Sequence, residues 1–438
     1  MLETILTSVP AFLFALGVIV FVHEGGHYLM AKLFGVRVLV FSLGFGQRAW
    51  GFQRGGTDYR VSWIPLGGYV RMAGEMPDER SARPDDFLNQ ARWKRILVYL
   101  AGPLMNVVLS VALIAGVFMH GIEMQALQDI PAVIGAIEEG SAGEEAGLRV
   151  GDRVLTVDGK PVDKWKDVIF DLSTSPEQPV VLGIERDGQS FDVTVTPHKV
   201  ERYEYGDAGV FPQIQLRFVK IFKDTPAQAA GFEPGDEVRR IDGQDLVNVN
   251  DFVEYVSTRP GQELEIEVLR GDELLRIAVV PAEFEDGKGR IGVQLGPYRP
   301  LGFQEAIVES VRFNVEIVHK SVLLLGKLFT NELTPKSTLS GPIEIASYSG
   351  EAARRSFEDL LYFMGFLSIS IAFMNLLPIP ILDGGHIAIL LVESVMRRDL
   401  SLVVKERITQ VGFVMLMTLM AMVIFFDLSK NLPGLFGS

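Results

Sequence analysis

The chain contains no cysteine, and this absence excludes both a disulfide framework and thiolate chemistry. Charged residues are also scarce, at 22% of the chain, whereas 48% of residues are hydrophobic and the mean hydropathy is +0.25. This composition is too apolar for an ordinary soluble enzyme, yet long polar segments are present. The apolar residues must therefore be concentrated in a few long runs.

Four runs are long and uncharged enough to predict transmembrane helices, which need about 18 or more apolar residues. They cover roughly 4–22, 96–119, 360–382 and 408–426. The first run could instead be a signal peptide, but it has no basic region before it and no small-residue cleavage site after it. We therefore predict a multi-pass α-helical membrane protein with four transmembrane helices.

The orientation of these helices is predicted from the basic residues near their ends. Such residues lie between the first two runs and between the last two, namely Lys32, Arg37, Arg92, Lys94, Arg95, Arg397, Arg398, Lys405 and Arg407. Both of these loops should face the cytoplasm, and both termini and residues 120–356 should lie on the other side. Residues 120–356 hold 40 Asp and Glu against 25 Lys and Arg, an acidic balance that argues against nucleic-acid partners.

An internal repeat lies within this acidic segment. SAGEEAGLRVGDRVLTVDGKPV, from residue 141, aligns with TPAQAAGFEPGDEVRRIDGQDL at a constant offset of 84 residues. Alternating runs such as VVLGIER and LEIEVLR predict strands, and Arg-Asp-Gly and Arg-Gly-Asp predict hairpin turns. The repeat therefore predicts two copies of one β-rich domain, at 125–212 and 213–297.

The first apolar run ends in FVHEGGHYLM, where ionisable residues are costly and tend to mark function. On a helix, His23 and His27 project from one face one turn apart, so both can bind a single Zn²⁺. Glu24 flanks that metal in the position of a general base that acts on water. Gly25 and Gly26 are costly in a helix and predict close packing by a substrate backbone or by another helix. The alternative is a chance match with histidines that are merely hydrogen-bonded.

A catalytic zinc site keeps three protein ligands and one open position, so a third ligand must come from elsewhere. The third run ends in NLLPIPILDGGH, in which Pro378 and Pro380 stop the helix. Irregular backbone at membrane depth is tolerated only where it lines a cavity. The sequence after this break offers two possible ligands, Asp383 and His386.

HEGGH in the first run, together with NLLPIPILDGG in the third, resembles the site-2 protease family of intramembrane zinc metalloproteases. The resemblance implies one zinc ion held by His23, His27 and Asp383, with Glu24 as the base. His386 then becomes the lesser candidate for the third ligand.

The same resemblance implies substrate-binding residues. Asn375 is implied to position the substrate, and Asn106, in AGPLMN, to contact the substrate or to pack helices. FSLGFG and YRVSWIPLGGYVRMAG resemble a membrane-associated β-hairpin region of the family, here 36–74. An exposed edge of that region, with Gly68 and Tyr69, could pair with an unwound substrate segment. The alternative is a loop that only seals the site.

Each repeat copy resembles a PDZ domain of the bacterial protease type, through Ala-Gly-Leu-x-x-Gly-Asp and its variant in the second copy. PDZ domains capture extended peptides or C-terminal carboxylates, and residues 134–136 are the candidate carboxylate loop of the first copy. A spacer or a steric lid without a bound peptide is the alternative. Residues 300–356 are predicted to form an amphipathic helix on the outer membrane surface and a connecting loop.

Together these features predict a protease of the bacterial inner membrane that cleaves transmembrane segments, with membrane lipid and membrane-protein substrates as partners. Residues 1–120 would hold the first two transmembrane helices and 357–438 the last two. The resemblance implies anti-sigma factors or remnant signal peptides as substrates, with access gated by the PDZ pair. A scaffold with a structural metal and a metal transporter are the competing classes. Glu24 argues against the first, and the lack of a repeat among the apolar runs argues against the second.

Overall fold

A computed structural model describes residues 2–76, 81, 83–120, 131–200, 203–213, 216–245, 249–271, 273–284, 287–296, 301–330 and 332–431. The chain divides into two compact units. The membrane unit comprises 1–119, 302–327 and 338–438, and the repeat unit comprises 120–301 and 328–337.

Four helices of the described chain are long and apolar enough to cross a membrane. They are Leu2–Leu33, Arg92–His120, Phe357–Leu376 and Leu402–Asn431, which we call the first to fourth spans. They coincide with the four predicted apolar runs, and the prediction that all four cross a membrane stays a prediction. The third span is shorter than predicted because Leu377 leaves the helical conformation (φ −63°, ψ 145°) immediately before Pro378.

Shorter helices complete the membrane unit. Phe303–Phe329 buries Ala306, Ser310 and Phe313 along one face, the pattern of an amphipathic helix. Its place at a membrane surface stays a prediction. The segment after this helix, predicted to be a connecting loop, contains the helix Pro342–Arg355. The others are a 3₁₀ turn and three helices at Phe87–Asn89, Pro335–Thr338, Pro342–Arg355 and Asp383–Met396, of which Pro335–Thr338 lies at the boundary with the repeat unit.

The helix Pro342–Arg355 is attached to the end of the fourth span by buried charges. Asp427 accepts hydrogen bonds from the backbone N–H groups of Ile343 (2.7 Å) and Glu344 (3.1 Å). Lys430 Nζ lies 3.2 Å from the Glu344 carboxylate, and both side chains are buried. Because a buried charge without its partner is strongly destabilising, this network holds the helix in one position.

A long hairpin, Val38–Arg54 and Thr57–Met72, folds back on itself. Residues 40–43 pair with 68–71 on one side and with 58–61 on the other. The segment 68–72 therefore forms an edge of this small sheet, and among the described residues no strand pairs with its other side. The N–H groups of Val70 and Met72 point away from the paired strand, since the first donates to Glu24 and the second to Glu75 Oε2 at 3.1 Å.

The repeat unit contains two small β-rich domains, each around its own apolar core. The first has strands Ile134–Ile137, Arg153–Val157, Lys160–Pro161, Val180–Arg186, Gln189–Val195, His198–Lys199, Gly206–Asp207 and Val210–Pro212, with helices Ala142–Glu145 and Trp165–Ser173. The second has strands Leu216–Ile221, Glu237–Ile241, Gln244–Asp245, Leu264–Arg270, Glu273–Val279, Ala282–Glu283, Gly289–Arg290 and Val293–Gly296, with helices Pro226–Ala230 and Val249–Ser257. The predicted domain boundaries stay predictions.

The same ion pair recurs in both copies at the predicted offset. Arg186 Nε lies 2.6 Å from the fully buried Asp152 carboxylate, and Arg270 Nε lies 2.7 Å from Asp236. Each guanidinium also donates to the carbonyl of a glycine that follows the short helix of its domain, Gly147 at 3.0 Å and Gly231 at 2.9 Å. The hydrogen bond to Asp152 raises the pKa of the Arg186 guanidinium, so the arginine stays charged at any physiological pH.

The candidate carboxylate loop of the first copy is not an open edge. Ile134 exchanges backbone hydrogen bonds with Gly151 and Asp152, and Ala136 pairs with Phe211 in the strand on the opposite side. The main chain of 134–136 is therefore occupied within its own domain, and the prediction that it captures a peptide carboxylate is wrong.

Candidate active site

Three side chains from two distant parts of the sequence converge in the membrane unit. His23 Nε2 and His27 Nε2 lie 3.2 Å apart, and Asp383 Oδ2 lies 3.2 Å from the first and 3.5 Å from the second. All three residues are largely buried. Two imidazole nitrogens and a carboxylate oxygen form a donor set found in catalytic zinc sites, so these residues fit the predicted metal.

Each ligand is placed by local structure. His23 and His27 stand one turn apart because the first span runs unbroken through HEGGH. Asp383 is the first residue of the helix Asp383–Met396, which begins after the break at Pro378 and Pro380. A carboxylate at a helix N-terminus is favoured by the helix dipole, and the break turns it toward the first span.

His27 is oriented by the second span. Its Nδ1 lies 2.8 Å from the carbonyl oxygen of Val98, so Nδ1–H donates and Nε2 keeps a free lone pair for a metal. Bonds of this kind to the second ring nitrogen fix both the tautomer and the ring plane of a ligating histidine.

The second span approaches the two histidines so closely that it tolerates no side chain at Gly102. A Cβ atom there would lie 2.9 Å from His23 Nε2 and closer still to His27 Nε2. Gly26 makes a similar approach, since its Cβ would clash with Ala101 and lie 2.9 Å from Met105 Cγ. The close packing predicted for Gly26 is confirmed. At Gly25 no other helix packs closely, because nothing in the described structure lies within 4 Å of a Cβ there, and close approach of a substrate backbone stays a prediction.

Glu24 lies beside the ligand group and is held by the hairpin. The backbone N–H of Val70 donates to its carboxylate. A Cβ at Gly68 would lie 3.2 Å from Glu24 Cγ, which shows how closely the hairpin edge packs on this residue. The edge strand and the candidate base therefore lie next to each other.

A cavity of about 490 Å³ joins these groups. Its walls include residues of the first, second and third spans, the hairpin edge and the segment after the third span. Gly68, Tyr69, Asn106 and Asn375, which the sequence predicts to bind substrate, all line it. Tyr69 stacks on Phe45, with ring centroids 6.2 Å apart, and its hydroxyl accepts from Arg60.

His386 lines the cavity but lies outside the group of convergent ligands. Its ring stacks on Tyr99, with centroids 4.8 Å apart and planes at 8°. This position agrees with Asp383 as the third ligand.

The positions of Val98 and Glu75 at the site are not evident from the sequence, whereas Gly102, in AGPLMN, is predicted to pack helices near the site. A backbone carbonyl carries no residue signature, so Val98 could not have been found. Gly102 precedes a proline in the middle of an apolar helix, where glycine is costly. A glycine kept at such a position indicates that another part of the protein packs closely against the helix there.

Comparisons with known proteins agree with this site. The model of the family described as Peptidase family M50 matches residues 11–419. A putative zinc metalloprotease of Xylella fastidiosa (strain Temecula1) is 31% identical, over 97% of this chain and 99% of that protein. The Regulator of sigma-E protease RseP of Escherichia coli (strain K12) is 30% identical, over 97% and 99% of the two chains. Among solved structures, the PDZ domain of the SdrC-like protein of Listeria monocytogenes matches at 23% identity, over 18% of this chain and 86% of that one, with a TM-score of 0.18.

Proposed function

The chain belongs to peptidase family M50 and is an intramembrane zinc metalloprotease of the site-2 type, and from this premise we propose that it cleaves transmembrane segments with Glu24 as the general base. The observation that carries the proposal is the position of Glu24 beside the ligand group, in a cavity between apolar helices. A site enclosed in this way is reached by a substrate segment within the membrane.

Zinc, when bound by His23, His27 and Asp383, polarises the scissile carbonyl and lowers the pKa of water. Glu24 accepts a proton from the attacking water, whose oxygen bonds to the carbonyl carbon. The same carboxyl group then gives that proton to the leaving amine as the C–N bond breaks. The Val70 N–H holds the carboxylate in place for both transfers.

We propose that the substrate binds as an added strand on the hairpin edge 68–72. A helical substrate hides its carbonyl groups in its own hydrogen bonds, so it must unwind before hydrolysis. The edge can offer replacement hydrogen bonds to the unwound backbone through its main-chain groups other than the N–H groups of Val70 and Met72, which donate to Glu24 and Glu75. Gly68 and Tyr69 lie on this edge, next to Glu24, and Asn375 lines the same cavity with a carboxamide that can bind a peptide group.

The hairpin itself is proposed to enter the membrane interface. Trp50 and Trp63 leave 68% and 73% of their surface exposed near its far end. Exposed tryptophans are typical of residues that anchor a protein at the headgroup level.

We propose that the protein is placed in a bacterial inner membrane with both termini and the repeat unit outside the cytoplasm, as the distribution of basic residues favours. We propose anti-sigma factors or remnant signal peptides as substrates, and similarity to a protein named as a regulator of sigma-E supports a connection with sigma-factor control. Peptide capture by either copy is a proposal too, and the PDZ pair would exclude substrates that keep a bulky exported domain.

Deletion of residues 130–296 should allow cleavage of substrates with a large exported domain, because the filter is removed while the ligand group is untouched. The measurement compares cleavage of one reporter segment with and without a folded exported domain, by full-length and deleted protein. If the deleted protein cleaves the short reporter and still rejects the bulky one, the filter is not in the repeat unit.

Removal of zinc should abolish cleavage of a tagged transmembrane reporter, and added zinc should restore it. We expect about one zinc per chain in the purified protein, since the described structure brings together one group of this kind. Unchanged cleavage by metal-free protein, measured with its zinc content, would contradict the proposed function.

A further inference from the structure

The second span presents a stripe of three residues to the ligand group: Val98, Gly102 and Asn106. Positions four apart lie on one face of a helix, one turn above another. Val98 binds His27 through its carbonyl, Gly102 leaves space for both Nε2 atoms, and Asn106 lies against His23. The two ends of the stripe therefore contact the two histidines, each at Nδ1.

The contact between Asn106 and His23 leaves one polar atom of the carboxamide without a hydrogen bond. Asn106 is fully buried, its Nδ2 lies 3.3 Å from His23 Nδ1, and its Oδ1 has no hydrogen-bond partner. When His23 Nε2 is a metal ligand, the proton of the neutral imidazole must be on Nδ1. An N–H group cannot form a hydrogen bond with the NH₂ group that faces it.

A half-turn of the carboxamide resolves both problems, because its oxygen and nitrogen are nearly the same size and exchange places. Oδ1 then accepts from His23 Nδ1–H and is no longer without a partner. We infer that Asn106 is a positioning residue, whose side-chain oxygen orients His23 for the metal as the Val98 carbonyl orients His27. This replaces the predicted substrate contact and rests on the proposed function, since it requires that His23 holds zinc.

The backbone of Asn106 is also held in place. Its carbonyl oxygen accepts a hydrogen bond of 2.8 Å from Ser368 Oγ, a fully buried residue of the third span. A carboxamide anchored in this way gives His23 a stationary acceptor. Partners of this kind to a ligating histidine are worth about 10- to 100-fold in metal affinity.

The test compares Asn106→Leu and Asn106→Asp in the full-length protein, with zinc affinity measured by competition with a chelator and unfolding followed separately. Asn106→Leu removes the acceptor and should weaken zinc binding by about 10- to 100-fold. Asn106→Asp keeps an oxygen acceptor and should bind zinc as tightly as the wild type, or more tightly. Ser110→Ala, one turn further along the same helix and also fully buried, is the matched control and should leave zinc affinity unchanged.

The outcomes separate the possible failures. Wild-type affinity in Asn106→Leu would overturn the inference and leave the proposed function intact. Equal loss in both Asn106 variants would overturn it too, because the amide would then act as a donor or only as a packing group. Should Asn106→Leu not fold, Asn106→Asp alone decides, since a carboxylate cannot replace a donor. A wild-type protein without zinc would refute both the inference and the proposed function.

Discussion

Glu24→Gln should abolish cleavage of a transmembrane reporter while the protein still binds zinc. Glutamine has nearly the shape of glutamate and its side-chain oxygen can still accept from the Val70 N–H, but it cannot accept a proton from water. General base catalysis contributes about 10²- to 10⁴-fold to the rate, so we expect a loss of that size. The measurement is cleavage of the reporter together with the zinc content of both proteins.

Glu351→Gln is the control for this experiment. Glu351 is an exposed residue of the helix Pro342–Arg355 in the same unit, pairs with Arg355 at 2.7 Å and does not line the cavity that holds Glu24. We expect this variant to retain most of the activity. Activity in Glu24→Gln near that of the wild type would remove Glu24 as the base, and loss of zinc from it would make Glu24 a metal-holding residue instead.

Gly102→Ala should remove both zinc and activity, although it adds a single methyl group far from the HEGGH sequence. The added carbon would lie 2.9 Å from His23 Nε2 and closer to His27 Nε2, so the histidines or the second span must move. Displacement of catalytic groups by about 1 Å can cost about 10²-fold in rate, and here the displaced groups are the ligands themselves. Zinc content and reporter cleavage are the two measurements.

Gly116→Ala provides the comparison on the same helix. Nothing in the described structure lies within 4 Å of a Cβ at Gly116, so the methyl group meets open space. Because alanine is favoured over glycine in a helix by about 1 kcal/mol, this variant should be at least as stable as the wild type and fully active. A Gly102→Ala protein with normal zinc content would show that the second span can move away without cost.

The sequence predicted best the features that depend on local patterns. Hydropathy over a window of residues identifies the spans, since the bilayer sets their length. The spacing of His23 and His27 predicts a shared metal, since helix geometry alone places them on one face. Hydropathy places the end of the third run at about residue 382, six residues after the helix ends at Leu376, although Pro378 and Pro380 predict the earlier end.

Two features depend on contacts between residues that are distant in the sequence: the third metal ligand and the strand pairing of 134–136. The residues alone offer both Asp383 and His386 as the third ligand, the resemblance favours Asp383, and the structure places Asp383 in the ligand group. For 134–136, local sequence could not show that both edges of the segment were already paired. The neighbours of a strand come from distant parts of the chain, so the sequence of the strand alone does not show whether its edges are paired.

The sequence by itself determined that this protein has four apolar helices, a duplicated β-rich domain and two histidines with a glutamate on one helix turn. Each of these features depends on the length of an apolar run or on the spacing of residues, and both can be seen within a single segment of the sequence. Only the tertiary structure decided that Val98, Gly102 and Asn106 face the histidines and that the hairpin edge holds Glu24. These positions depend on the register of the second span and the hairpin against the first span, and that register is set by the close packing of Gly26 on Ala101 and of Gly68 on Glu24.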